Sequence, residues 1–179
     1  SPDGNYAFVT HLVAMFTLPA TTLEGGWIHT NNFGVIDIKG QKLLNDFSLD
    51  IPLMGSANPW GISFTSDSKI LCVAHSGSNE LSVVDYQQMM ALAKSDVPYA
   101  HELNALYTLR QKVLVKGKAP RAVAIIGSTA YTAGYFEDNL ELFNLSLSAC
   151  SAAGTISLGP AKPLTARRKG EFHFFDASI

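Results

Sequence analysis

Short apolar runs alternate with turn-forming residues along most of this chain of 179 residues. In the middle of the chain the runs occupy residues 58–64, 70–75 and 80–85, with Ser, Asp, Gly and Asn between them. Runs of this length that are bounded by turn formers are typical of β-strands. The pattern therefore predicts a meander of strands, joined by a tight turn and then by a glycine-containing turn.

The same order of strands and turns recurs in two other parts of the chain. It returns at residues 119–144, where Pro120 begins the first run as Pro59 does in the earlier copy. A third copy at the front lacks its first strand and has runs at residues 6–10 and 33–38. Self-similarity of this kind is the sequence signature of a repeat architecture.

A further strand completes each copy, at residues 43–51, 112–116 and 154–158. Four-stranded antiparallel units repeated around a centre define a β-propeller. The predicted fold is all-β: a β-propeller fragment of about three four-stranded antiparallel blades in an incomplete ring. We assign the blades to residues 1–159, and we expect the chain to be an arc of a larger ring with marginal stability alone, because open blades expose apolar faces.

Parts of the repeat match a known family motif. The matching residues are Pro59-Trp60-Gly61-Ile62, Ser1-Pro2-Asp3-Gly4, Ser82-Val83-Val84-Asp85, Val35-Ile36-Asp37 and residues 6–10. Over much of its length the chain resembles the YVTN/YncE-like β-propeller repeat proteins. The resemblance implies a propeller fold and, by itself, no particular activity.

Two insertions lengthen the blades beyond the roughly 40–45 residues common in four-stranded propeller repeats. One covers residues 12–31 and the other covers residues 86–111. The second is rich in helix formers from Tyr86 to Lys94 and follows Asp85, whose side chain suits a helix N-cap. It predicts a short helix, which covers the edges of the blades or, alternatively, docks a partner.

The direction of the strands assigns several polar and aromatic residues to one face. In a meander, the start of the innermost strand and the end of the second strand lie on the same side of the blade. The first insertion lies in the connection between the second and third strands, which is on that side as well. Long loops on a rigid scaffold often carry binding sites. The predicted ligand or partner face near the channel mouth comprises His11, Trp27, His29, Asn58, Trp60, His75, Arg121 and Tyr135.

Several of these residues also have a structural interpretation. His11 and His75 hold equivalent repeat positions, so they are candidates for a shared metal or ligand, yet a histidine there can also cap a strand end through local backbone. Trp27 and Trp60 fit an aromatic patch for a partner or packing between blades. Arg121 suits an anionic group or an acidic side chain of the adjacent blade. The sequence leaves these alternatives open.

Composition narrows the class of partner. A formal net charge of −2 lacks the basic footprint of a nucleic-acid-binding protein, and no apolar run approaches the roughly 18 residues of a membrane span. Cys72 and Cys150 have no C-x-x-C spacing, which argues against a zinc or haem-attachment motif in this chain. We expect Cys72 to be a buried strand residue, and a disulfide between the two cysteines stays open.

Residues 160–179 break the repeat, and we assign them to a linker and the start of a following domain, with a helix from about Thr165. The run Pro163-Leu164-Thr165-Ala166-Arg167-Arg168-Lys169-Gly170-Glu171, followed by Phe174-Phe175-Asp176-Ala177-Ser178, resembles a segment of di-haem cytochrome c peroxidase/MauG-type domains. In that family the segment leads to a haem-attachment motif. The resemblance implies haem c in a downstream domain, whereas no cofactor is expected in this chain, which has no C-x-x-C-H motif.

These features favour a non-catalytic binding or scaffold propeller. The resemblances imply an exported bacterial redox protein, periplasmic or at the cell surface, whose partner is the downstream haem domain or another protein. Oxidoreductase activity would then belong to the parent protein, and no catalytic residue is assigned in this chain. Two alternatives are a propeller hydrolase of lactonase type with a channel-mouth site, and a cell-surface interaction module without chemistry.

Overall fold

A computed structural model describes residues 1–14, 16, 29–52, 54–160 and 162–177. Within those ranges, eleven β-strands form three antiparallel sheets, accompanied by two α-helices. The first sheet consists of β1 (Tyr6–Ala14), β2 (His29–Asp37) and β3 (Lys42–Ser48). The second consists of β4 (Pro59–Phe64), β5 (Ile70–His75), β6 (Glu80–Asp85) and β7 (Arg110–Leu114), and the third of β8 (Pro120–Ile126), β9 (Thr129–Gly134), β10 (Asn139–Asn144) and β11 (Ser151–Ser157). The helices are α1 (Tyr86–Ala93), between β6 and β7, and α2 (Ala166–Phe175), after β11.

The strands of each sheet follow the order of the chain, so each sheet is an up-and-down meander. Meanders of this kind, placed side by side around a centre, are the blades of a β-propeller. The prediction of an all-β fold with about three antiparallel blades is therefore confirmed. The first described blade has three strands and the other two have four, which agrees with the front copy that lacks its first strand.

Successive connections alternate between the two ends of a blade, because neighbouring strands run in opposite directions. The β5–β6 and β9–β10 connections lie at the end where β4 and β8 begin, and we name this side the upper face. The β2–β3, β4–β5 and β8–β9 connections lie at the opposite end, the lower face. Those of the predicted binding residues that the structure describes therefore lie towards the upper face.

The internal repeat extends to the backbone conformation. Asn58 and Ala119, the residues before the two equivalent prolines, both have left-handed backbone, with φ of 53° and 55°. In the second and third blades, the pairing of the first two strands shifts register directly after Pro59 and Pro120, respectively. The same β-bulge thus begins both innermost strands, and the two prolines are structurally equivalent.

Adjacent blades bury their sheets against one another. All six residues of β5 are buried, and their side chains alternate between two interfaces. Leu71 and Val73 pack in the core that contains Phe33 of the first blade. Cys72 packs in the core that contains Phe143 of the third blade. Because side chains alternate across a strand with a period of two, β5 contributes to both cores.

Helix α1 extends the first of these cores. Asp85 caps the N-terminus of α1, and its carboxylate accepts a 3.0 Å hydrogen bond from the backbone N–H of Gln88. Met89 and Met90 of the helix are buried among residues of the first two blades. The predicted helix and its N-cap are confirmed, and the packing supports a role in covering the blade edges.

The first insertion begins and ends as strand. β1 and β2 continue into it and pair as far as Ala14 and His29. The predicted insertion at residues 12–31 therefore continues the two strands at both ends. The physical reason is that polar residues of β2 find buried partners: the backbone N–H and the side-chain amide of Asn31 donate to the carboxylate of Asp50.

Both cysteines are free thiols, so the structure contains no disulfide between them. Cys72 is wholly buried, as predicted, and burial raises the pKa of its thiol. Cys150 is partly buried, and burial raises the pKa of its thiol as well. Raised pKa values keep thiols protonated and unreactive. Among the described residues, no helix combines the length and the apolar character needed to cross a bilayer.

Candidate functional site

Helix α2 lies on the upper face of the second and third blades. Thr165 caps its N-terminus, and the threonine hydroxyl accepts a 3.3 Å hydrogen bond from the backbone N–H of Arg168. The helix therefore begins where the sequence predicts. Its contacts with the blades involve an aromatic cluster around Arg121, the side chain of Arg168 and the residues at its C-terminal end.

The aromatic cluster encloses the guanidinium of Arg121, the residue that follows the proline of β8. The guanidinium carbon lies 3.5 Å from the ring centroid of Tyr135, 5.0 Å from that of Trp60 and 5.8 Å from that of Phe175. A cation within about 6 Å of a ring centroid is attracted by the negative face of the ring. Since the three rings belong to β4, the β9–β10 connection and α2, Arg121 joins two blades and the helix.

Arg168 forms a second contact from the helix side. Its guanidinium carbon lies 4.3 Å from the ring centroid of Tyr135 and 4.6 Å from that of Phe136. The same group donates a 2.9 Å hydrogen bond to the backbone carbonyl of Tyr135 and a 2.7 Å bond to the carboxylate of Glu171. The bond from Arg168 lowers the pKa of Glu171. Phe172 packs edge-on against Phe136, with 5.4 Å between ring centroids.

The C-terminal end of α2 forms a third contact. The Asp176 carboxylate accepts a 3.2 Å hydrogen bond from the side-chain amide of Asn79, and its other oxygen lies 3.9 Å from Nζ of Lys118. The backbone N–H of Ala177 donates a 2.8 Å hydrogen bond to the carbonyl of Gly77. We name the blade surface that receives the helix the α2 face, which comprises Trp60, Gly77, Asn79, Lys118, Arg121, Tyr135 and Phe136.

Three of the predicted binding residues meet in this surface: Trp60, Arg121 and Tyr135. Trp60 is 53% exposed, and its ring lies 5.0 Å from the guanidinium carbon of Arg121 in the third blade, so the alternatives of a partner patch and of packing between blades both stay open. The observed neighbours of the Arg121 guanidinium are aromatic rings of both blades and of α2. Arg121 and Tyr135 thus also contact α2, which spacing along one strand could not indicate.

Asn58 and His29 also lie towards the upper face. The backbone N–H of Asn58 donates a 3.1 Å hydrogen bond to the side-chain oxygen of Asn31, and its carbonyl accepts a 2.9 Å bond from the Ser76 N–H. Exposed His29 lines a cavity of about 290 Å³ together with Asn31 and Ala177. The predicted residue Trp27 lies outside the described residues.

The two equivalent histidines have separate partners within their own blades. His11 Nε2 lies 3.1 Å from the carboxylate of Asp46 in β3, whereas His75 Nε2 lies 2.7 Å from the hydroxyl of Ser82 in β6. The placement of His75 on an accessible face is wrong, because the residue is wholly buried. In the part of the chain that the structure describes, no group of three metal-ligating His, Cys, Asp or Glu residues occurs.

A buried polar network, which sequence reasoning missed, joins the first two blades. A guanidinium nitrogen of Arg110 lies 3.1 Å from the carboxylate of Glu80, and both side chains are almost fully buried. The guanidinium also donates 2.7 Å and 2.8 Å hydrogen bonds to the hydroxyls of Ser56 and Ser82, and a further bond to the carbonyl of Leu49. Buried charges require partners of this kind.

Lys112 and Asp50 extend the network on either side. Lys112 Nζ lies 3.1 Å from the second carboxylate oxygen of Glu80, and Asp50 accepts a 2.6 Å hydrogen bond from the Ser56 N–H. Burial raises the pKa of Asp50, and burial lowers the pKa of Arg110 to about 10. The one sequence signal was the charged residue Glu80 at the start of β6, directly before the buried Leu81.

Three meander blades, with β4 and β8 side by side at their inner margin, define this chain as part of a β-propeller. No protein-family model matches the sequence. The chain is similar to hydrazine synthase subunit beta of Kuenenia stuttgartiensis, with 26% identity over 156 residues. The match covers 82% of this chain and 40% of that protein, so the chain spans less than half the length of this relative.

A solved structure gives the same result for the fold. Kuenenia stuttgartiensis hydrazine synthase superimposes with a TM-score of 0.70 and 24% sequence identity, over 82% of this chain and 44% of that chain. This likeness shows a shared fold. A weaker likeness, with a TM-score of 0.46 and 15% identity over 72% of this chain and 39% of the other, is to a chain of the nidogen/laminin complex.

Proposed function

We propose that this chain belongs to the non-catalytic binding and scaffold propeller of an exported bacterial redox protein, and that it works as a subunit of an enzyme similar to hydrazine synthase. The observation that carries the proposal is the similarity to hydrazine synthase subunit beta over 82% of the chain. That relative is, by its name, one subunit of an enzyme. A propeller subunit offers rigid surfaces and loops for contacts with other subunits.

The use of charged groups in the described blades supports a scaffold role. Glu80 and Arg110 of the second blade pair with each other almost completely buried, and Arg110 also bonds the carbonyl of Leu49, which follows the first blade. Arg121 lies among aromatic rings. Charges used in this way hold elements together, because removing one partner leaves the other buried and unpaired. No specific observation in the described residues favours the alternative of a lactonase-type hydrolase.

The finer features of the proposal rest on the two resemblances. Pro59 and Pro120 begin equivalent strands through the same bulge, which supports a repeat of the YVTN/YncE type. Helix α2 carries much of the sequence that resembles the segment before a haem-attachment motif. We propose that haem c resides in a domain downstream of α2, and that the protein is periplasmic or at the cell surface.

Purification of the tagged intact protein from its native cells tests this function. We expect other subunits to co-purify in fixed stoichiometry, measured by quantitative mass spectrometry against a tag-only control, and we expect c-type haem absorbance in the product. A protein that purifies alone and without haem would contradict the proposal. Partner subunits without haem would retain the scaffold role and refute the downstream haem domain.

A further inference from the structure

Helix α2 is a poor helix by its own sequence. It has ten residues, and isolated helices shorter than about 12–15 residues are marginal in water. Gly170 lies in its interior, where glycine disfavours helix. Its first turn contains Arg167 and Arg168 and no acidic residue, although basic groups oppose the dipole at this end. The observed helix must therefore owe its order to contacts with the blades.

The contacts involve one side of the helix. Four residues lie on one face of the helix, because Glu171, Phe172 and Phe175 follow Arg168 by three, four and seven positions. Members of this set contact Tyr135, Phe136 and Arg121 of the blades. Outside this set, Arg167 is exposed and Phe174 is 82% exposed.

The blade surface is complementary to that side of the helix. The rings of Tyr135 and Phe136 receive the Arg168 cation, and the Arg121 cation receives the ring of Phe175. At the C-terminal end, Lys118 faces the Asp176 carboxylate. Each cation in this contact faces either an aromatic ring or a carboxylate, as expected of a specific docking surface.

We propose that the α2 face is a built-in receptor for residues 165–177, that this segment becomes helical only when it is docked, and that the docked segment is a latch which holds the C-terminal end of α2 against the second and third blades. The latch goes beyond the proposed function, since it requires neither a partner subunit nor haem. Its occupant is a segment of this chain, seated by the contacts with Arg121, Tyr135 and Lys118.

Hydrogen–deuterium exchange of the intact protein, followed by mass spectrometry of peptides from residues 165–177, tests the latch. Arg168→Ala removes the contacts with Tyr135 and Phe136, and we expect the exchange rate of α2 amides to rise by roughly five- to tenfold. Arg167→Ala is the matched control, because it makes the same chemical change on the exposed side. It should leave the exchange rate unchanged within about twofold. Alanine favours helix more than arginine does, so faster exchange in Arg168→Ala cannot result from helix propensity.

A second variant tests the receptor from the blade side. Arg121→Ala should raise the exchange rate of α2 while the buried amides of β5 remain protected, although the two segments are far apart in sequence. If the β5 amides also exchange faster in Arg121→Ala, this variant has disturbed the blades themselves. The latch is then tested only by the comparison of Arg168→Ala with Arg167→Ala. The latch is refuted if α2 amides exchange at the wild-type rate in Arg168→Ala, or if both arginine variants lose protection equally. Loss of a partner or of haem changes neither comparison, so a failure of the latch is distinguishable from a failure of the proposed function.

Discussion

Gly61 lies where two innermost strands approach most closely. A Cβ atom added there would lie 3.0 Å from the Cα of Ala122, the carbonyl oxygen of Arg121 and the backbone nitrogen of Val123. All three are backbone atoms of β8, which cannot move aside as the end of a flexible side chain can. We predict that Gly61→Ala lowers the free energy of unfolding of the intact protein by about 2 kcal/mol, measured by urea denaturation.

Gly170→Ala is the matched control for this substitution. Nothing lies within 4 Å of a Cβ atom added at Gly170, and alanine is favoured over glycine inside a helix by about 1 kcal/mol. This variant should be neutral or stabilising. An unfolding midpoint of Gly61→Ala equal to that of the wild type would contradict the close packing of β4 and β8.

Arg110 neutralises the carboxylates that are buried between the first two blades. Arg110→Met removes the cation and leaves Glu80 with Lys112 as its remaining basic partner. Breaking a buried pair costs about 3–5 kcal/mol, and we predict a loss of about 3 kcal/mol because Lys112 stays in place. Urea denaturation of the intact protein measures this loss.

Lys69→Met provides the comparison for an exposed pair. Lys69 Nζ lies 3.0 Å from the carboxylate of Asp67, and both side chains are more than half exposed. Exposed pairs contribute little to stability, so the unfolding midpoint should not change. Equal losses in Arg110→Met and Lys69→Met would show that the buried network does not hold the blades together.

His75 makes stability depend on pH. Burial, together with the positive charges of Arg110 and Lys112, holds the pKa of its imidazole well below 6.5. Below that pH the unfolded chain binds a proton that the folded state excludes, so stability falls as the pH falls. We predict that lowering the pH from 7.5 to 5.5 costs about 1.4 kcal/mol through this residue.

The pH effect is measured as a difference between wild type and His75→Gln, by urea denaturation at both pH values. Asp50 acts in the opposite direction, because its raised pKa makes the folded state bind a proton more readily as the pH falls. The difference between the two proteins removes this contribution, which they share. Identical pH dependence in wild type and His75→Gln would contradict the account of the buried imidazole.

Single residues were predictable from the sequence where strand direction alone decides their position. Trp60, Arg121 and Tyr135 could be placed on one face, because the direction of a strand fixes the end at which a residue lies. The burial of His75 could not be predicted, because it depends on side chains of β6 and β7 such as Ser82, whose hydroxyl lies 2.7 Å from Nε2. The Glu80–Arg110 pair was missed because the two residues are not cross-strand partners. The register pairs Arg110 with Val84 and Glu80 with Leu114, so the ion pair depends on the path of the long Arg110 side chain.

At the scale of elements, α1 depends on its N-cap. We predict that Asp85→Ala, which removes the acceptor for the Gln88 N–H, lowers the free energy of unfolding by about 1 kcal/mol. Asp85→Asn is the matched control, because asparagine caps a helix about as well as aspartate. The two variants are compared by urea denaturation of the intact protein, and equal losses would mean that the charge of Asp85, and not the cap, stabilises the helix.

The elements themselves were predictable where the sequence pattern is local. The strands β5 and β6 and the start of α1 were read from apolar runs and a capping residue, signals that require no knowledge of the rest of the molecule. The extension of β2 to His29 was missed, because Asn31 and Asn32 have the composition of a loop. Their burial depends on Asp50 and Asp46, whose side chains accept their hydrogen bonds.

At the scale of the whole molecule, the outer strand of the third blade is exposed. Every residue of β11 is exposed, and the large side chains of Ile156 and Leu158 are 44% and 62% exposed. A repeat pattern predicts how the blades pack. It does not identify a partner, because the surface residues that would bind one follow no repeat.

Cross-linking mass spectrometry of the native complex tests the scaffold role most directly. Lys118 and Lys169 lie at the α2 face and on α2, whereas Lys39 and Lys69 lie in turns of the lower face. We predict that cross-links to other subunits, or to the chain beyond residue 177, concentrate on Lys118 and Lys169. Cross-links that join residues of this chain's blades only to one another, or cross-links to other subunits that concentrate on Lys39 and Lys69, would contradict a scaffold that presents its upper face to its partners.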